Sequence, residues 1–487
     1  MCDHQWFESA SPESAGIASQ YIEGFLSSVE QNKINFQGFM LLRHNKLLSY
    51  GIATPYRYTD KRHVYSVSKS FTSTAVGMAV EEGLFSLNDR VLSFFPESAP
   101  ENPGENLQEM RVRDLLCMGT GHDTDTLQSL VASEDWVKTF LSLPVRFRPG
   151  TFFAYNSGAS YMLSAIVQKV TGQNLMEYLT PRLFEPLHMT GIVWDKCPRN
   201  ICLGGWGLHV TMEDMAKLGV LYLNNGKLGC RRILSERWVK EAVSLQISNE
   251  HMPNPDWQQG YGYQFWRCTR GCYRADGAYG QYILVSPEKD LVMVMIGETQ
   301  DMQLVLNLFW TQIFDRIKDT PLEPNPAENA LLKIKTASLS CNQIEWFPAI
   351  QRPYHQMFDI ESNPYGLTRL ALNVQNNSCY ITLQCSDGRS FEAACEKNRW
   401  TYIKEKNFPV APVSGVFDLY KNSDATVAVA YYWEDVNTLI VKVQFVDSPH
   451  FITFRYHLSS EGNEVYLIKS TSVTPSEAQK AWKLIAF

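Results

Sequence analysis

Apolar residues recur at helical spacing through much of the first two-thirds of the chain. Residues 39–42 and 47–50 are apolar on either side of a short turn, which predicts a β-hairpin. A helical stripe begins after Ser66 and is expected to end at Gly83. Another stripe predicts an amphipathic helix over residues 12–33, and its members are Ile17, Tyr21, Ile22, Phe25, Leu26 and Val29.

Helices and strands continue to about residue 318. Helical patterns occupy residues 112–118, a segment that ends at Gly172, a segment from Thr211 to Gly226, and residues 302–317. Strand patterns occupy residues 261–266, 281–285 and 291–296, the last two as a hairpin. Strands near both ends with helices between them predict an α+β domain, in which helices flank an antiparallel sheet and form a helical subdomain.

Beyond about residue 350 the helical pattern gives way to short runs of alternating apolar and polar residues. Three prolines between residues 321 and 326 indicate a linker before this change. Several short strands separated by turn residues are typical of an all-β barrel or sandwich. We therefore expect a domain over residues 1–320, a linker over 321–350 and a C-terminal β domain over 351–487.

Charge and composition exclude several classes of function. The 487 residues carry a formal net charge of −7, so nucleic acid is not an expected partner. We find no signal peptide and no apolar stretch of about 18 residues, so neither export nor membrane association is predicted. The 11 cysteines are scattered without a Cys-x-x-Cys pair, which favours reduced thiols in a cytoplasmic protein. No metal or other cofactor is expected.

The residues with chemical potential begin at Ser66-Val67-Ser68-Lys69. On a helix the side chains of Ser66 and Lys69 project from the same face, one turn apart. This geometry suits a serine whose hydroxyl proton is removed by an amine. A helix start also offers unpaired backbone N–H groups to a developing oxyanion. Serine and lysine are common, so this spacing alone is a weak indication of catalysis.

Two further motifs strengthen the indication. Tyr155-Asn156-Ser157 lies in a turn-rich loop before a helix, and Ala275-Asp276-Gly277 lies at the mouth of a strand. In this order and at these separations, the three motifs resemble those of the serine β-lactamase/penicillin-binding-protein superfamily. The most similar branch is the class C β-lactamase-like group, which includes esterases, D-aminopeptidases and transacylases. The resemblance covers roughly residues 12–318.

The resemblance implies a role for each motif. Ser66 would be the acylated nucleophile, and Tyr155 would take part in proton transfer to and from it. Lys69 would act as the base if its pKa is lowered, or would keep a nearby phenolate ionised. The backbone N–H groups of Ser66 and Ala278 would form the oxyanion hole.

Two departures from the family pattern bear on the substrate. Ser157 stands where many relatives carry asparagine, and an alanine and Asp276 stand where β-lactamases carry Lys-Thr. Loss of that lysine argues against recognition of a carboxylate, so we expect Ser157, Asp276, Gly277 and Tyr279 to bind another kind of substrate. Asp276 either faces the cleft, where it would attract an amine, or points away and pairs with Arg274.

The sequence therefore predicts a serine hydrolase that acts through a Ser66 acyl-enzyme on a small ester or amide. A true β-lactamase or D-Ala-D-Ala carboxypeptidase, and a non-catalytic binding or sensor protein, remain alternatives. His63, His122 and His209 are expected to be structural, because no Gly-x-Ser-x-Gly elbow accompanies them. The C-terminal domain could cover the cleft, mediate a homodimer or bind a partner, and a structural or specificity-modulating role is our expectation.

Overall fold

The computed structural model describes residues 6–341, 352–406, 408, 410, 424–460, 462–470 and 481–486. The chain divides into two compact units. The first comprises Met1–Ala53 and Tyr58–Leu339, and the second comprises Thr54–Arg57 and Ser340–Phe487. Within the described ranges, no helix has both the length and the apolar character needed to cross a membrane.

The first unit is built on an antiparallel sheet of six strands, in the order β2-β1-β11-β10-β9-β8. Three short strands pair in the order β3-β5-β4, and β6 pairs with β7. The strands are β1 (Asn35–Arg43), β2 (Lys46–Ile52), β3 (Arg62–His63), β4 (Val193–Trp194), β5 (Leu208–Val210), β6 (Lys227–Leu228), β7 (Arg231–Arg232), β8 (Trp266–Arg267), β9 (Tyr273–Gly277), β10 (Gln281–Ser286) and β11 (Leu291–Glu298).

Helices lie between and after these strands. They are α1 (Ser19–Gln31), α2 (Ser68–Glu81), α3 (Val91–Phe94), α4 (Glu105–Glu109), α5 (Val112–Leu116), α6 (Leu127–Val131), α7 (Trp136–Ser142), α8 (Ser157–Thr171), α9 (Leu175–Leu179), α10 (Met212–Leu223), α11 (Glu236–Val243), α12 (Met302–Gln312) and α13 (Pro326–Ala337). This arrangement confirms the predicted α+β class.

The central strands of the sheet are buried on both faces. Phe39 of β1 and Met293 of β11 belong to one hydrophobic core with residues of α1 and α12. Their neighbours Met40 and Val294 are equally buried, and α10 packs against β10 and β11. Because both faces are covered, these strands are almost continuously apolar instead of alternating.

Three predicted elements of this unit have different bounds in the structure. The first predicted helix begins only at Ser19, and α12 ends at Gln312. The strand predicted over residues 261–266 is wrong, since only Trp266 and Arg267 form β8 there. Gln264 has a φ of 65°, a left-handed conformation that a regular strand does not accommodate.

A helix lies inside the segment that the prolines mark as a linker. Asn325 accepts a hydrogen bond from the backbone N–H of Glu328, and Pro326 occupies the first turn of α13. Both are favourable helix-start features, because proline has no N–H to leave unpaired there. α13 packs against α1 and so belongs to the first unit.

The second unit is an antiparallel sheet of ten strands, in the order β15-β14-β13-β12-β21-β20-β19-β18-β17-β16. β15 and β16, the two ends of this order, contact each other across the turn in which Glu396 bridges Arg399, so the sheet curls into a nearly closed barrel. Of the predicted alternatives, barrel and sandwich, the structure has the barrel. The strands are β12 (Tyr354–Ile360), β13 (Leu367–Gln375), β14 (Ser378–Cys385), β15 (Ser390–Glu396), β16 (Thr401–Lys406), β17 (Asp424–Trp433), β18 (Thr438–Phe445), β19 (Phe451–Ser459), β20 (Gly462–Lys469) and β21 (Ala481–Ala486).

Candidate active site

Ser66 lies in a 3₁₀ turn, Tyr65–Val67, directly before α2. Tyr65 has a φ of 49°, a conformation that is strained for a bulky residue. The turn continues into α2, so Ser66 and Lys69 stay on one face, and Lys69 Nζ lies 3.0 Å from Ser66 Oγ. A strained residue beside a hydrogen-bonded Ser–Lys pair is typical of a functional site.

The amine of Lys69 is buried among oxygen atoms. Besides Ser66, it donates to Ser157 Oγ at 3.3 Å and to the carbonyl of Gly205 at 2.8 Å. Burial lowers the pKa of Lys69 to about 7, although the carboxylates of Asp125 and Asp276 oppose the shift. A large fraction of this amine is therefore neutral near pH 7, which is the form that accepts a proton.

Tyr155 completes the cluster. Its ring stacks on Trp266 with the centroids 5.3 Å apart, and Lys69 Nζ lies 4.8 Å from the ring centroid. Burial raises the pKa of the Tyr155 phenol above its usual value, and a hydrogen bond with Ser66 opposes the rise only in part. Tyr155 is therefore protonated at neutral pH.

Ser157 is the first residue of α8, and Asn156 supplies the helix cap. Asn156 Oδ1 accepts from the backbone N–H of Gly158 at 3.0 Å. The backbone N–H of Ser157 donates to Asp125 Oδ1 at 2.9 Å. Asp125 therefore anchors the helix start that presents Ser157 to Lys69.

The third motif lies at the end of β9, next to the Ser66 turn. A Cβ on Gly277 would lie 2.3 Å from the carbonyl oxygen of Val64, closer than real Cβ contacts. Only glycine therefore lets this strand end approach the turn so closely. Ala278 and Tyr279 follow in the turn to β10, both half-buried, and the Tyr279 ring lies edge-on to Tyr65 with centroids 5.3 Å apart.

Asp276 pairs with Arg274, which is the second of the two predicted arrangements. The Nη2 and Nε atoms of Arg274 both lie 2.8 Å from Asp276 Oδ2. Arg274 is fully buried, and its guanidinium carbon lies 4.2 Å from the Trp257 ring centroid. Burial raises the pKa of Asp276 to about 6 against the opposing effects of Arg274 and Lys69. Asp276 is thus paired and still acts electrostatically on Lys69.

Two side chains of the site, those of Asp125 and Gln264, belong to no motif of the sequence, whereas Gly205 belongs to the Gly204–Leu208 stretch that supports the family resemblance. Asp125 anchors Ser157, and the Gly205 carbonyl accepts from Lys69. Gln264 is buried and joins three elements. Its carbonyl accepts from Ser70 Oγ of α2, its Oε1 accepts from Ser160 Oγ of α8, and its Nε2 donates to the Leu116 carbonyl of α5. The only sequence signal for Gln264 is a polar residue in an aromatic run.

The three histidines have structural contacts. His63 is buried and its Nε2 accepts from the backbone N–H of Gly207 at 3.1 Å. His122 Nδ1 lies 2.9 Å from Thr120 Oγ1, and His209 Nε2 lies 3.5 Å from Asp195 Oδ2. None of these contacts involves Ser66. Over the part of the chain that the structure describes, no group of three or more His, Cys, Asp or Glu side chains is arranged to hold a metal ion.

Comparison with known families now identifies the fold and the class of protein. The family model described as Beta-lactamase matches residues 37–304, more than half of the chain. The chain belongs to the beta-lactamase family. This assignment confirms the resemblance to the serine β-lactamase/penicillin-binding-protein superfamily and the expectation of a hydrolytic enzyme.

Several individual proteins are similar over part of their length. The 6-aminohexanoate-dimer hydrolase of Paenarthrobacter ureafaciens is 27% identical over 293 residues, which are 54% of this chain and 72% of that protein. Protein flp of Staphylococcus aureus strain COL is 30% identical over 138 residues, 27% of this chain and 28% of that protein.

Solved structures show the same fold. The match with a family VIII carboxylesterase spans 63% of this chain and 99% of the carboxylesterase, with a TM-score of 0.50 and 16% identity. The match with EstCE1, described as a hydrolase with promiscuous acyltransferase activity, spans 61% of this chain and 98% of EstCE1, with a TM-score of 0.50 and 17% identity.

Proposed function

We propose that this protein hydrolyses a small ester or amide through an acyl-enzyme on Ser66. The observation that carries the proposal is the 3.0 Å contact between Ser66 Oγ and the buried amine of Lys69, whose pKa is lowered to about 7. A serine hydroxyl needs a base within hydrogen-bond reach, and a neutral amine at this distance is such a base.

In the proposed acylation step, Ser66 Oγ attacks the carbonyl carbon of the substrate and Lys69 takes the hydroxyl proton. Tyr155 is protonated at neutral pH, so it can donate its phenolic proton to the leaving alcohol or amine. The ammonium of Lys69 then returns a proton to Tyr155. Of the two roles that the sequence left open for Lys69, the raised pKa of Tyr155 favours the base.

In the proposed deacylation step, water attacks the acyl carbon and passes its proton to the neutral Lys69 amine. Lys69 then returns that proton to Ser66 Oγ as the carbon–oxygen bond breaks. The backbone N–H groups of Ser66 and Ala278 are the proposed oxyanion donors in both steps. The close approach of Gly277 to Val64 supports this assignment, because it holds the end of β9 against the Ser66 turn.

The charge around the third motif supports a substrate without a carboxylate. Arg274 is adjacent to the position of the lysine of β-lactamases, but Asp276 neutralises its guanidinium. An amide or an ester fits the names of the relatives, which include a 6-aminohexanoate-dimer hydrolase and a carboxylesterase. We propose that Ser157, Gly277 and Tyr279 contact the acyl part, and that Asp276 contributes by keeping the Arg274 guanidinium from attracting a carboxylate.

The test is covalent labelling followed by turnover. Intact-mass measurement after exposure to a fluorophosphonate, p-nitrophenyl esters, D-amino-acid amides and nitrocefin should show one adduct, on Ser66. Assays of product formation should then show turnover of esters or amides. Ser66→Ala should lose the adduct and at least about 10³-fold in kcat. Ser129→Ala, at an exposed serine of α6, is the control and should behave as the parent.

Each other outcome points to an alternative. An adduct that persists in Ser66→Ala would contradict the proposed nucleophile. Nitrocefin turnover at an ordinary rate of about 1–10³ s⁻¹ would favour a true β-lactamase. Ester turnover that yields more transfer product than acid when alcohol is added would favour an acyltransferase, which is how EstCE1 is described in part. No adduct with any reagent would favour a binding or sensor protein.

A further inference from the structure

A cavity lies beside the loop that carries Tyr155. Its volume is about 670 Å³, within the range of small-molecule sites. Four arginines line it, namely Arg90, Arg111, Arg113 and Arg148. It shares no lining residue with the cluster of Ser66, Lys69, Tyr155 and Ser157, so it is a separate site.

The lining is positive although the chain as a whole is acidic. Four guanidiniums face two carboxylates, those of Glu109 and Asp114, which leaves a charge of +2 against −7 for the whole chain. Arg148 Nε lies 3.5 Å from Glu109 Oε2. In the described part of the chain, neither Arg90 nor Arg113 has a carboxylate within 4.0 Å.

The backbone brings two of these charges together. Arg90 and Arg111 are directly opposite each other in an antiparallel bridge, and Arg111 Nη1 donates to the Asn88 carbonyl at 2.5 Å. Like charges in directly opposite positions of paired backbone are destabilising. An anion bound between them would remove that repulsion.

We propose that this cavity binds a phosphorylated small molecule. Guanidinium groups match the geometry of phosphate oxygens with paired N–H donors. A phosphate monoester carries about −1.5 to −2 at pH 7, which complements the +2 of the lining. The cavity has room for a phosphate together with the small organic group that bears it.

Two walls of the cavity are segments that hold the candidate active site. Arg148 and Gly150 begin the loop that continues to Tyr155, and the backbone N–H of Gly150 donates to the Gly119 carbonyl at 2.7 Å. Tyr263 forms another wall, and its carbonyl accepts from Ser73 Oγ of α2 at 2.7 Å. A ligand that fills the cavity would therefore lie against both the Tyr155 loop and a residue that anchors α2.

The experiment is titration calorimetry and thermal unfolding of the full chain with pyrophosphate, inorganic phosphate and citrate, each at the same ionic strength set with sodium chloride. We expect saturable binding of pyrophosphate to one site per chain and a rise in Tm with its concentration. In the double variant R90Q/R113Q the Kd should rise at least about tenfold, because each lost guanidinium removes a charge-assisted hydrogen bond. Arg90 and Arg113 are exposed, so this variant should fold.

Arg237→Gln is the control, because Arg237 is an exposed arginine of α11 outside the cavity, and it should leave the Kd unchanged. Binding that is equal in the double variant and the parent would overturn the proposal, as would no binding above the chloride background. Citrate binding tighter than either phosphate anion would overturn the assignment to phosphate. None of these outcomes depends on the proposed hydrolysis, since the readout is binding.

Discussion

Burial and charge act in opposite directions on the amine of Lys69. Removal from water favours the neutral amine, while the carboxylates of Asp125 and Asp276 favour the ammonium. The result is a pKa of about 7, close to neutral pH, where a general base works best. The two acids have different surroundings: Asp276 is buried and paired with Arg274, whereas Asp125 is exposed.

This balance predicts how activity depends on pH. The neutral amine is the reactive form, so kcat/KM should rise with pH through a midpoint near 7. Asp125→Asn removes a charge that raises the pKa of Lys69, so its midpoint should lie at lower pH than that of the parent. Asparagine keeps the Oδ1 acceptor for the Ser157 N–H, which preserves the geometry.

The measurement is a pH–rate profile of kcat/KM for the parent, Asp125→Asn and Asp123→Asn. Asp123 lies two residues away, faces Arg146 at 3.1 Å and does not act on Lys69, so its variant should keep the parent midpoint. A midpoint that moves to higher pH in Asp125→Asn would contradict the role of Lys69 as the base.

At the residue scale, the sequence identified the site side chains that belong to motifs. It did not identify side chains that only the fold brings close to Ser66 and Lys69. Ser66 and Lys69 are three residues apart, so local helix geometry was enough to pair them. Asp125 lies 32 residues before Ser157 in no recognised pattern, and its hydrogen bond to that residue depends on where α6 and α8 pack. A contact of this kind leaves no trace in local spacing.

At the element scale, the candidate site depends on the distance between the end of β9 and the turn before α2. Gly277→Ala would place a methyl group 2.3 Å from the Val64 carbonyl oxygen, so the strand end must move away. If the Ala278 N–H is an oxyanion donor, kcat should fall by about 10²–10³-fold, the usual cost of losing one such donor.

Activity and fold must be separated in this test. We expect Gly277→Ala to keep the far-UV circular dichroism of the parent while kcat falls and labelling by the fluorophosphonate slows. Gly24→Ala is the matched control, because Gly24 lies inside α1 and a Cβ there would be 3.7 Å from Gln312 Oε1, an ordinary van der Waals contact. Parent-like kcat in a folded Gly277→Ala would count against Ala278 as a donor.

Elements with a strong local period could be predicted, whereas the strand prediction over residues 261–266 is wrong because of tertiary contacts. The hairpin of β10 and β11 follows from two β-rich runs around a turn. The aromatic run at 261–266 has the composition of a strand, but Gln264 turns out of it to bond with Ser160 and with the Leu116 carbonyl. These long-range hydrogen bonds override the local preference for strand.

At the scale of the whole molecule, each unit has a hydrophobic core of its own. Leu306 belongs to the core of the first unit and Leu439 to the core of the barrel, and both are fully buried. The sequence indicated a change of architecture near residue 350, because the period of the apolar residues changes there. It did not indicate that residues 54–57 belong with the second unit, since a four-residue segment carries no period.

Separate cores predict separate unfolding, with activity following only one of them. Leu306→Ala and Leu439→Ala delete the same atoms from a fully buried site, so each should cost its own unit about 2–5 kcal/mol. In a urea titration, Leu306→Ala should lower the midpoint at which ester turnover is lost, because Ser66, Lys69 and Tyr155 all lie in the first unit. Leu439→Ala should instead lower the midpoint of a transition seen by fluorescence, while turnover is lost at the same urea concentration as in the parent.

A single transition that both variants shift equally, in fluorescence and in activity, would mean that the two cores unfold as one and that the barrel is required for the active fold.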